Sequence, residues 1–145
     1  MALANAAIEL NDLPAAEAAA SAALGQAPSQ SLRLQARLLQ ARVAAARAQA
    51  PEALALFDEL SRTRDEEVSV RATLEALRLR RAAGLMRPID CVEALEVLRY
   101  RWRGDGLELA VVGTLGEVYS EIGRWRDALA TMRVAADRFP VDPAG

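Results

Sequence analysis

Apolar and polar positions along this chain recur with the period of a helix rather than that of a strand. Between residues 89 and 103, Cys91, Ala94, Leu95, Leu98 and Trp102 fall at i, i+3, i+4, i+7 and i+11, one stripe of an α-helix. That reading turns Trp102 toward a core with Leu98 and Cys91, and leaves Arg99 and Arg103 on a solvated face. Similar stripes follow one another from end to end, and the residues between them are stop and start signals. Pro51 falls where a helix begins and its missing N–H costs nothing. Glu66 and Glu67 stand at another start, where acids complement the helix dipole. Gly123 can take the positive φ that ends a helix, and Pro140 cannot continue one. Eight helices are predicted, over about 2–11, 14–25, 30–48, 51–63, 66–83, 89–103, 106–122 and 125–138.

The helices pair into a repeat. The clearest unit runs from about Leu109 to Asp142 and carries Leu115-Gly116, Tyr119, Gly123, Trp125, Ala128, Met132, Ala135 and Pro140. Gly116 and Ala128 are expected where two antiparallel helices cross closely, with Tyr119 and Trp125 filling the space beside the crossing. In an earlier unit Ala41 and Ala44 stand where Gly116 and Tyr119 stand, followed by Ala53, Phe57 and Leu60. The first unit shows Leu3-Ala4, Ala7, Asn11, Leu13, Ala16, Ala20, Ala23 and Pro28 in the same register. The third is the poorest: its first helix, about Glu67 to Ala83, has no clear register, and its Gly84 to Asp90 connection is long. The anchoring alanines Ala16, Ala53, Ala94 and Ala128 are 37, 41 and 34 residues apart, so the loops vary in length. Repeats are expected over about 1–29, 30–65, 66–104 and 105–142.

The last unit resembles the tetratricopeptide repeat (TPR) in its ordered Leu-Gly, Tyr, Ala, large apolar residue and closing Pro over one 34-residue period. The resemblance implies an all-α, right-handed α-solenoid of about four antiparallel helix hairpins. It also implies a concave groove lined by the first helices of successive hairpins, which binds a peptide or partner protein. The groove face would include Leu38, Arg42 and Ala45 of the second unit and Gly113, Glu117, Ser120 and Glu121 of the fourth. The TPR subset that clamps acidic C-termini uses Lys and Asn. This chain has no Lys, and its only Asn residues are Asn5 and Asn11, so that mode is not expected. Solenoid ends need capping, and both ends of the array look cut, so a fragment of a longer protein is expected. The uncapped C-terminal hairpin, with Leu129 and Met132 facing water, gives a second expectation: a structural spacer or oligomerisation segment of a large envelope protein. The Arg101-Trp102-Arg103-Gly104-Asp105 run before the last unit resembles large exported TPR proteins of Gram-negative bacteria, which leans the expectation toward the periplasm.

Composition narrows the chemistry. The chain is 52% hydrophobic but only 4% aromatic, and alanine runs such as Ala18-Ala19-Ala20 supply helix-forming, closely packing surface. All 18 basic residues are arginine, a bias typical of a high-GC bacterial genome, and the net charge of −2 gives no field favouring nucleic acid or an anionic membrane. No apolar run approaches the roughly 20 residues of a membrane span, and Met1 opens no signal peptide. Without histidine, Ser-His and Cys-His activation and most zinc sites are excluded, and no phosphate-binding glycine loop occurs. The lone Cys91, on the apolar stripe, reads as a core residue. Glu117 and Glu121 lie i, i+4 on one helix face, where like charges repel. Arg103-Gly104-Asp105 reads as the turn between the last two units, with Gly104 and Gly106 ending one helix and Asp105 starting the next. No catalytic residues, metal ligands or cofactor are expected, and a partner that is protein rather than nucleic acid is.

Overall fold

A computed structural model describes residues 13–26, 29–103 and 105–138 of the 145-residue chain. Among them every regular element is an α-helix: α1 (Leu13–Gln26), α2 (Gln30–Ala46), α3 (Ala50–Leu60), α4 (Glu66–Ala82), α5 (Pro88–Leu98), α6 (Gly106–Glu121) and α7 (Trp125–Arg138). The expected helix over about 2–11 lies outside the described residues, so seven of the eight stand here. Gly104, Pro28 and Pro140 lie outside them too.

Local chemistry fixes the helix starts. Ser29 caps α2, its Oγ accepting from the Leu32 N–H at 3.2 Å. Asp65 caps α4 through the Val68 N–H at 3.2 Å, and Asp105 caps α6 through the Leu107 N–H at 2.9 Å. Pro51 and Pro88 occupy the first turns of α3 and α5, where proline is preorganised for helix.

The turns that end helices are equally local. After α6, Gly123 sits at φ +76°, the Arg124 N–H donates to Tyr119 O at 2.9 Å and the Gly123 N–H donates to Ser120 O at 3.1 Å. After α2 the same bonds recur: Gln49 N–H to Ala44 O at 2.9 Å and Ala48 N–H to Ala45 O at 3.1 Å, with Ala48 itself at φ +60°. Both are left-handed C-terminal turns in which a six-residue hydrogen bond closes the helix. Gly84 takes φ +70° after α4, and the connection ends at Arg87, shorter than expected, because α5 already begins at Pro88.

The chain divides into two compact units, residues 1–83 and 84–145, a division that falls within the stretch read as the third repeat. In the first unit, α1 packs on α2, α2 on α3, and α3 on α4, with α2 also touching α4. Ala16 and Ala20 of α1 are buried with Val43 and Leu39 of α2. The main core joins Leu38, Ala41 and Ala44 of α2, Ala53, Phe57 and Leu60 of α3, and Val68, Ala72 and Ala76 of α4. In the second unit, α5 packs on α6 and α6 on α7. Its buried residues are Cys91, Val92, Leu95 and Leu98 of α5, Leu107, Val111, Val112, Leu115, Val118 and Tyr119 of α6, and Ala128 of α7. Of the four anchoring alanines, Ala16, Ala53 and Ala128 are fully or nearly buried, while Ala94 is half-buried.

Three expectations need correction. α5 stops at Leu98, five residues short of the predicted end, because the next N–H groups bond three residues back: Tyr100 to Val97 O at 3.4 Å and Arg101 to Leu98 O at 3.0 Å. Trp102 is therefore off the helix and half-buried. Its indole N–H donates to Asp105 Oδ2 at 2.9 Å, while Arg99 and Arg103 stack over the exposed Tyr100 ring at 5.3 and 5.5 Å. Trp125 does not fill the helix crossing but is 62% exposed. Gly106 opens α6 rather than ending α5. Gly116 does stand buried at the crossing, where a Cβ would meet Met132 at an ordinary 3.6 Å, so a small residue suffices there.

Candidate functional site

In the first unit, α2 and α4 meet along a cleft of about 230 Å³. Leu38, Leu39, Gln35 and Arg42 come from α2, and Val68, Glu67 and Arg71 from α4. The side chains of α2 that face it lie at i, i+3, i+4 and i+7, and those of α4 at i, i+1 and i+4, so helical period alone brings them to one face. Buried Leu38, Leu39 and Val68 make an apolar floor.

Charge is confined to the sides. Arg42 Nη2 donates to Glu75 Oε1 at 3.4 Å, a long contact between two groups each about a quarter exposed. Arg71 donates through Nε and Nη2 to one oxygen of Glu67, at 3.3 and 3.2 Å. A guanidinium carries five N–H donors in a planar fork, so each arginine has more donors than these contacts use. Partly exposed ion pairs of this kind contribute little to stability, ~0–1 kcal/mol. They are cheap to rearrange for an incoming carboxylate, amide or peptide carbonyl.

Of the residues expected in a groove, Leu38 and Arg42 line this cleft; Ala45, half-buried on the same helix, does not. The other four lie on α6 in the second unit. Gly113, Glu117 and Glu121 are exposed along one ridge, and partly buried Ser120 donates its hydroxyl proton to Gly116 O at 3.0 Å. Gln35, Glu67 and Arg71 were not foreseen. The Glu67–Arg71 pair at i, i+4 was the available signal, but α4 had no register on which to place it.

The second unit holds two polar clusters that sequence reasoning missed. Glu108 is only 3% exposed, yet its carboxylate is gripped from both sides, by Arg103 Nε at 3.1 Å and Arg138 Nη2 at 3.0 Å. The pair ties the α5–α6 loop and the end of α7 to the first turn of α6. Its signal was the Asp105-x-x-Glu108 spacing of a capping box. Tyr119 donates its hydroxyl proton to Glu96 Oε1 at 2.6 Å, and Arg124 lies 5.1 Å over its ring. Burial, and then the bond to the Glu96 carboxylate, push the Tyr119 hydroxyl up to about 12. Glu96 and Tyr119 also line a cleft of about 150 Å³ with Arg99, Asp127 and Thr131. With Arg103 on Glu108, and Asp105 accepting from Trp102 and Leu107, the charged ends of the Arg103-Gly104-Asp105 run are held within the chain.

Cys91 is fully buried and in no disulfide, the situation of a packing residue. No described helix is long and apolar enough to cross a membrane. No protein-family model, curated protein or solved structure matches this chain.

Proposed function

We propose that the chain is a non-catalytic helical-repeat scaffold of the TPR type that binds a peptide or partner protein in the groove between α2 and α4. The observation that carries this reading is the cleft with an apolar floor at Leu38, Leu39 and Val68 and two arginine forks, Arg42 and Arg71, on its sides. An extended segment suits it best, since such a segment offers backbone carbonyls and carboxylates to the guanidinium groups and an apolar side chain to the floor. The repeat-array arrangement, the bacterial source and the absence of enzymatic activity belong to the same proposal.

The test is affinity capture with the purified chain, set against Arg42→Glu/Arg71→Glu. Captured partners should be lost with this double variant and kept with Glu52→Arg, which changes an exposed residue of α3. Equal capture by all three proteins removes the groove assignment.

A second reading, that the chain is a structural or oligomerisation segment, is favoured by one observation. Leu129 of α7 is 63% exposed and Met132 is 49% exposed. Large apolar side chains in such a run are more often an interface than a solvated surface.

A further inference from the structure

Trp125, Leu129, Met132 and Ala136 fall at i, i+4, i+7 and i+11 of α7, one exposed stripe along its length. An equivalent stripe elsewhere in the chain shows how such a surface is covered. Hairpins α2–α3 and α6–α7 share the same turn, and a shift of 75 residues carries Ala48 onto Gly123, Ala53 onto Ala128, Leu54 onto Leu129 and Phe57 onto Met132. Phe57 is 1% exposed because α4 joins it in the core with Val68, Ala72 and Ala76, small or β-branched residues at i, i+4 and i+8. Large side chains of one helix enter the space left by small ones of the next. The corresponding face of α7 is open to solvent.

Beside that face α6 offers the complementary surface. Leu109 and Gly113 are exposed at i and i+4, and a Cβ on Gly113 would meet nothing within 4 Å. A mid-helix glycine weakens a helix, and no contact within the chain calls for this one. Charge is divided across the same surface. Glu117 and Glu121 form the outer rim on α6, and Arg126 and Arg133 form the outer rim on α7, all four exposed.

From these features we infer that the α6–α7 face seats a second copy of the chain, related by a two-fold axis that runs along the hairpin between the two faces. The inference rests on the self-association reading above and gives it an interface. In this arrangement α6 of each copy lies over α7 of the other, and the open space at Gly113 admits the Met132 and Ala136 end of the stripe. The same axis sets the Glu117/Glu121 rim of each copy against the Arg126/Arg133 rim of the other, twice. A two-fold axis running across the hairpin would instead stack acid on acid and base on base. Charge complementarity thus selects both the occupant and its orientation.

Sedimentation of the full chain over a concentration series tests the inference. The wild-type chain should dimerise, and Leu129→Glu, a surface change that should leave the thermal melt intact, should raise the dimer dissociation constant by roughly a hundredfold or more. Glu121→Arg and Arg126→Glu should each raise it roughly tenfold, and the two together should bring it back near the wild-type value. A strict monomer at the highest soluble concentration overturns this inference and the self-association reading alike. A dimer indifferent to Leu129→Glu, or a charge pair that does not rescue, overturns the interface alone and leaves self-association standing.

Discussion

Hairpins α2–α3 and α6–α7 are built on one plan and end in different states. Their turns make the same hydrogen bonds at the same places, yet Phe57 is buried where Met132 is half exposed. The difference does not come from the hairpins themselves. It comes from α4, which covers α3 with Val68, Ala72 and Ala76, while the matching face of α7 stays open. A hairpin of this kind buries one face internally and leaves another that only a neighbour can bury. Where a following helix packs on that face, as α4 does on α3, the position is core; on α7, among the described residues, it is surface with an apolar side chain on it.

The sharpest way to break the comparison is to truncate the two equivalent residues. Phe57→Ala should destabilise the chain by about 3–5 kcal/mol in urea unfolding, because it opens a cavity among packed neighbours. Met132→Ala should cost less, about 1–2 kcal/mol in the monomer, since only about half of its surface is taken out of water. Similar costs at both sites would mean that α7 is covered after all.

The turns offer a smaller test with opposite signs. Gly123→Ala places a Cβ at φ +76° and should cost about 1 kcal/mol. Ala48→Gly relieves the same strain at φ +60° and should stabilise by about 0.5 kcal/mol, the gain being reduced by the freedom glycine adds to the unfolded chain. Thermal melts of both variants decide it.

A pH-dependent test concerns Tyr119, which stands where the other hairpin has Ala44. Its hydroxyl is held up to about 12 in the folded chain, above its ordinary value near 10. Between these two values the unfolded chain has already released the proton that the folded chain keeps. The Tyr119 contribution to folding stability should therefore be constant below about pH 10 and fall as the pH rises toward 12. Tyr119→Phe should flatten that part of the profile, with arginine remaining charged throughout. An unchanged slope would show that the Tyr119–Glu96 bond does not hold in solution.

Much of this architecture was legible in the residues alone. Pro51, Glu66, Asp105 and Gly123 act through their own backbones or through partners a few positions away, so helix starts and the last turn could be placed in advance. The register linking Ala41, Ala53 and Phe57 to Gly116, Ala128 and Met132 is carried by the identical turns. The end of α5 was not legible, because Arg99 to Arg103 contains no helix breaker. What stops the helix is a local contest, in which the Trp102 indole bonds Asp105 and two arginines flank Tyr100. The candidate cleft was half legible. Leu38 and Arg42 could be named from repeat register, whereas Glu67 and Arg71 depended on how α4 is rotated against α2.

The sequence by itself determined that the chain is helical, where most helices begin and end, and which small residues mark the hairpins. These follow from propensity, capping and period, forces that act within a turn or two. Only the tertiary structure decided that Glu108 sits buried between Arg103 and Arg138, that Trp125 lies outside rather than within the crossing, and that Phe57 and Met132 differ in fate. Burial depends on what another helix brings to a face, and that is a property of pairs of elements, which no single stretch of residues contains.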